Sequence, residues 1–184
     1  MQSSTSLLKE LKAITLNVLE SAIEFKNLAE QNLQHRNDPK SWNALECIQH
    51  LNLYARFYHP EIGKRMDQGS SKAKAANFKS SWLGNYFAES MKAKEQIKAM
   101  KTFESMNPID QALDNKHLEE FIAHQKQLLL LLERAEEINL TKVKTGISIS
   151  KFIKLRLGDT FKVVVYHNER HILQAKRAIQ NSAS

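Results

Sequence analysis

Apolar side chains recur every three or four positions through most of this chain, and almost nothing interrupts them: its 184 residues include only 5 glycines and 3 prolines. Spacing of three or four gathers residues on one side of an α-helix, whereas a half-buried strand alternates every second residue. Turns draw on glycine and proline, whose usual shares are about 7% and 5%. So few breakers leave little room for a turn-rich β-sandwich or a glycine-lined phosphate loop. The chain reads as all-α.

Four long periodic stretches carry this reading. The first runs from about Ser6 to Leu33, with Leu7, Leu11, Ile14, Val18, Ala22, Phe25 and Ala29 on one face. Asn37-Asp38-Pro39 ends it, since proline lacks an amide hydrogen and biases the preceding residue away from the α conformation. The second extends from near Trp42 to about Met66, and Asn43 with Glu46 three residues on forms a helix-start pair. Gly63 and Gly69 with Ser70-Ser71 then mark a turn and loop. A shorter amphipathic piece covers Ser80 to about Ser90, with Trp82, Tyr86 and Phe87 read as core aromatics.

The third long stretch spans about Ile109 to Asn139. Its Leu128–Leu132 block is apolar all round and calls for cover on several sides, a second subunit included. The fourth is Leu155 to about Ile179; Val163-Val164-Val165-Tyr166 alone suits a strand, but Phe161, Val164, Val165, Ile172, Ala175 and Ile179 keep helical spacing. The expectation is a single domain over residues 1–184: a four-helix bundle with an additional short helix in the long central connection, roughly residues 64 to 108.

Composition narrows the functional classes. Apolar residues at 42% and charged residues at 26% belong to globular proteins. A single cysteine, Cys47, excludes an intramolecular disulfide framework and any Cys-rich metal site. No signal-peptide pattern opens the chain, and the longest apolar run, Leu128 to Leu132, falls far short of the roughly 18 residues of a membrane span. A cytoplasmic protein with no membrane role is expected. The net charge of +7 raises nucleic acid as a partner. However, the densest lysines (Lys72, Lys74, Lys79, Lys92, Lys94, Lys98, Lys101) are not interleaved with aromatics, and no nucleic-acid-binding motif occurs. They read as a solvated surface.

Candidate chemistry rests on histidine. His167 and His171 are four apart, one turn along a single helix face, and can share one ion. Chance alone supplies about 0.3 such pairs in a chain with this many histidines, so the pair needs context. It is not the zinc-protease helix, because Asn168 stands where that motif needs glutamate. His50 supplies the context, lying within the apolar face Leu45, Ile48, Leu51. A buried imidazole without a partner costs on the order of 1–3 kcal/mol, and bundle cores are common places for metal sites built from facing helices. Three imidazoles leave coordination positions open, the arrangement of a catalytic site. Gln174, three beyond His171 on the same face, is placed to orient a ligand or a bound group. Cys47 and Glu46 read as core and helix start, and His117 and His124 as packing or solvent-facing residues.

Trp42-Asn43-Ala44-Leu45-Glu46-Cys47-Ile48-Gln49-His50-Leu51 resembles the Trp-Ser-…-His-Leu segment of the DinB-like (DinB/YfiT) metalloenzyme superfamily. His167-Asn168-Glu169-Arg170-His171-Ile172-Leu173-Gln174-Ala175 is similar to the final helix of that family, and Phe78 to Met91 and Pro108 fit its middle. The resemblance spans roughly residues 5 to 180 and departs at Asn43, where the family usually has serine. It implies a four-helix bundle, often a homodimer, in which one histidine of the second helix and two of the fourth bind a divalent metal. Those positions are His50, His167 and His171. Imidazole suits zinc, nickel, copper and iron, and zinc or nickel lead the expectation. The resemblance also implies a metal-dependent enzyme on a small-molecule substrate, either a transferase using a low-molecular-weight thiol or a hydrolase. The rival is a non-catalytic bundle, metal-stabilised or a stress-related binding or oligomerisation module.

Overall fold

The computed structural model describes residues 2–36, 38–69, 73–93 and 102–181. It is mostly helical. Among the described residues are helices α1 (Ser4–Lys26), α2 (Glu30–Gln34), α3 (Ala44–Gly69), α4 (Trp82–Met91), α5 (Asn115–Arg134) and α6 (Leu157–Gln180). Two small antiparallel strand pairs accompany them: β1 (Gln2–Ser3) with β2 (Asn77–Phe78), and β3 (Lys144–Ile147) with β4 (Ser150–Arg156). None of the helices is long and apolar enough to cross a membrane.

The first periodic stretch is two helices. Asn27 closes α1 by donating its backbone N–H to the carbonyls of Glu24 and Phe25, and Ala29 is extended (φ −61°, ψ 140°) before α2 starts. The spacing ran on unbroken because Leu33 of α2 is buried in the same core as Val18, Ala22 and Phe25 of α1. Conversely, Gly63 marks no turn: α3 continues through it and through Pro60 to Gly69. The start of α3 is capped as its sequence suggests. Glu46 N donates to Asn43 Oδ1 at 2.8 Å, and Asn43 N donates to Glu46 Oε2 at 2.9 Å.

The third stretch contracts to α5. Asp114 accepts from Lys116 N at 3.0 Å and pairs with His117, so the helix begins at Asn115, five residues after Asp110 sits in the left-handed region at φ 62°. Leu128, Leu131 and Leu132 are buried, but Leu130 is 61% exposed, so the leucine block is not covered all round. Residues 144–156, for which no strand was expected, form the β3–β4 hairpin. Lys144 faces Arg156, Thr145 faces Leu155 and Gly146 faces Lys154. Its buried face locks onto α6, where the Thr145 and Thr160 hydroxyls hydrogen-bond at 2.6 Å. The chain is mostly helical, in keeping with the all-α expectation, and the two small strand pairs are an addition to it.

Both α1 and α3 pack against α5 and α6, while α4 lies on α6. The close approach of α4 depends on Gly84, where a Cβ would overlap the Asp159 carboxylate. That carboxylate accepts from Ser81 N at 3.0 Å and Ser81 Oγ at 2.9 Å, fixing the α4 start. Trp82 and Tyr86, expected in the core, are 83% and 60% exposed and stack on each other outside.

The apolar core falls into two clusters. One holds Leu7, Leu11, Ile62, Leu128, Leu157 and Phe161, the other Val18, Phe25, Leu45, Ile48, Phe121 and Ile172. Buried polar side chains lie at the level between them. Asn168 Nδ2 donates to Gln125 Oε1 at 3.2 Å, Asn52 Nδ2 donates to the His117 carbonyl at 2.8 Å, and His50 and His167 occupy the same level.

Candidate metal centre

His50 comes from the second turn of α3, and His167 and His171 from successive turns of α6. Their ring centroids stand 5.0 Å (His50–His167), 4.7 Å (His50–His171) and 4.6 Å (His167–His171) apart. One nitrogen from each ring lies within 4.8 Å of the others, the one such group of three metal-ligating side chains among the described residues. His50 and His167 are 3% and 9% exposed.

Two rings are oriented through Nδ1 by an oxygen acceptor. His50 Nδ1–H donates to the Met106 carbonyl at 2.7 Å, and His171 Nδ1–H donates to Gln174 Oε1 at 2.9 Å. Each donation places the proton on Nδ1 and turns a bare Nε2 inward. Burial favours the uncharged form of all three rings. It holds His50 down at about 4 against the pull of the Met106 carbonyl. It lowers His171 to about 3, with His50 adding to the effect. His167 lies well below its usual value through burial first, then the proximity of His171, His50 and Arg170. Neutral imidazoles at neutral pH are the state that binds a metal ion.

Aromatic rings brace the group from two sides. Trp42 lies 4.7 Å from His50 and 5.7 Å from His171, and its Nε1–H donates to Asn107 Oδ1 at 3.1 Å. Tyr54 lies 4.9 Å from His50 and 4.8 Å from His167. All three histidines open onto one cavity of about 930 Å³, within the range of small-molecule sites.

Other residues read from the sequence fall elsewhere. Cys47 is wholly buried in the second apolar cluster, where burial and then the Glu46 charge push its thiol up. Glu46 caps α3 and pairs with Arg36 Nη2 at 2.6 Å. His117 caps α5, and His124 Nε2 meets Glu120 Oε1 at 3.2 Å. Lys74 and Lys92 pair with Glu137 and Glu89; Lys72, Lys94, Lys98 and Lys101 lie outside the described residues. Sequence reasoning missed the Met106 carbonyl, a backbone group with no residue signature, and Tyr54, whose position one turn after His50 was a legible signal.

A family model described as the DinB superfamily matches residues 14–175, which include His50, His167, His171 and Gln174. No curated protein and no solved structure matches the chain.

Proposed function

The chain belongs to the DinB superfamily, and from that premise we propose that it is a divalent-metal-dependent enzyme acting on a small molecule, with His50, His167 and His171 as metal ligands in a four-helix bundle of α1, α3, α5 and α6. The observation that carries this reading is the meeting of three imidazoles on the wall of a 930 Å³ cavity. The three donor nitrogens lie within 4.8 Å of one another, and one pair already stands at the spacing an ion requires. Two nitrogens held about 2.0–2.1 Å from a tetrahedral zinc stand about 3.3 Å apart, and His50 Nε2 and His167 Nε2 stand at 3.2 Å. Three protein ligands leave a position for substrate.

A divalent ion there, zinc or nickel before iron or copper, would supply Lewis acidity toward a water or a low-molecular-weight thiol, which corresponds to hydrolase or transferase chemistry. The chain's own residues do the rest. The Met106 carbonyl and Gln174 hold two rings in register. Trp42 and Tyr54 limit the rotation of all three by packing on their faces and edges. The homodimer belongs to the same proposal; Leu16 and Ile23, exposed seven residues apart on α1, support an apolar contact face, and sedimentation velocity tests it.

The deciding measurement is elemental analysis of protein purified without a nickel column, beside His50→Ala, His167→Ala and His171→Ala. About one ion per chain in the parent and none in the variants, with helical circular dichroism kept, is the expected result. Variants that keep their ion would overturn the ligand set. Variants that lose ion and fold together would favour the non-catalytic, metal-stabilised bundle.

A further inference from the structure

The cavity is longer than the metal centre, and its two ends differ chemically. Trp42 meets His171, whereas Tyr54, further along α3, meets His167, so the two helices run antiparallel along the cavity. Past His171 the α6 wall continues to Arg177, and Lys40, in the turn before α3 that also carries Trp42, lines the same cavity. Past His167 it runs back to Val163, and Tyr58, further along α3, lines the cavity with Ile149, whose neighbour Ser148 meets the Tyr58 hydroxyl at 3.4 Å. At 1.5 Å per residue, Arg177 lies about 9 Å beyond His171, and Val163 about 6 Å before His167.

The first end is cationic. Lys40 and Arg177 are exposed, and among the described residues neither side chain carries a hydrogen bond or ion pair. The one carboxylate at that end, Asp38, accepts from Lys40 N at 2.7 Å and is committed to its own turn. An unengaged guanidinium offers a planar fork of donors that matches an oxyanion. The second end offers aliphatic and aromatic carbon, which rewards burial of an apolar body.

We propose that this cavity binds an amphipathic organic anion, its carboxylate, sulfonate or phosphate head at Arg177 and Lys40 and its apolar body along Tyr58, Ile149 and Val163. The molecule spans about 20 Å of the α6 wall and passes the three histidines midway. The inference rests on the metal-centre reading only in locating the reacting middle of the ligand there; the charge and shape of the two ends stand without it.

Two fluorescent probes with a shared long polyene chain, able to reach both ends of the cavity, test it on the full chain loaded with zinc: anionic cis-parinarate and its neutral methyl ester. One carboxylate probe per chain is expected. Arg177→Gln weakens the carboxylate probe about tenfold, the loss of one charge-assisted contact, and leaves the neutral ester unchanged. Lys40→Gln acts in the same direction, and Ile149→Ser weakens both probes. No binding of the carboxylate probe, or equal effects of Arg177→Gln on both probes, overturns the inference. Zinc binding is titrated separately. Zinc bound with no Arg177 dependence sinks this inference alone, and Arg177-dependent binding without zinc uptake sinks the metal reading alone.

Discussion

The Nε2 atoms of His50 and His167 stand 3.2 Å apart, although 117 residues separate them in the chain. The Met106 carbonyl holds the His50 proton on Nδ1, so the His50 lone pair points at its partner ring. A lone pair turned inward from a residue 3% exposed needs a proton or a cation to meet it.

Gln174 holds the third ring. Replacing it by alanine frees His171 Nδ1 from its 2.9 Å partner. The Gln174→Ala variant is expected to bind zinc about 10- to 100-fold more weakly, the usual effect of losing an outer-shell partner. Competition against a chromophoric chelator reads this. Unchanged affinity, with the fold intact, would remove Gln174 from the site.

Gly84 controls how closely α4 lies on α6. Gly84→Ala puts a methyl group into the Asp159 carboxylate and is expected to cost about 1–3 kcal/mol, in line with other overpacking changes. In an Asp159→Ala background the same change should cost much less, a coupling that a double-mutant cycle in urea measures directly. Additive effects would show that the two residues do not oppose each other.

His59 makes stability depend on pH outside the metal centre. It is 2% exposed, and its Nε2 has no hydrogen-bond partner. Burial first, then the nearby His124, lowers it to about 4. An unfolded histidine titrates near 6.5, so between these values the unfolded chain binds the extra proton. The resulting loss grows as pH falls from about 6.5 to about 4 and totals about 3 kcal/mol. His59→Gln should flatten that part of the stability profile. A parallel profile for wild type and variant contradicts the assignment.

Asn168 and Gln125 form a buried pair at 3.2 Å. Asn168→Leu alone strands Gln125 and is expected to cost about 1–3 kcal/mol, whereas the double change to leucine approaches neutrality. Chemical denaturation of the three variants checks this. A double variant worse than the sum of the singles would give the pair a role beyond mutual satisfaction.

The long helices were legible because burying one face imposes a repeat on the sequence. The same repeat concealed the break at Asn27–Ala29, since Leu33 returns to the core that α1 serves. The β3–β4 hairpin escaped because lysines occupy its outward positions, and a short strand with charges reads as a loop. Trp82 and Tyr86 misled in the other direction: their spacing suits a buried face, yet α4 turns that face to solvent. At the candidate site, the three histidines and Gln174 could be picked out by residue type and spacing. The Met106 carbonyl could not, because every residue has one.

The polar layer between the two apolar clusters is spanned by Ile14, which packs against both. The amides of the layer have fixed partners on other helices, Asn168 on Gln125 and Asn52 on the His117 carbonyl. Swapping one hydrocarbon for another in either cluster changes only volume, whereas losing a member of the layer strands the group it served.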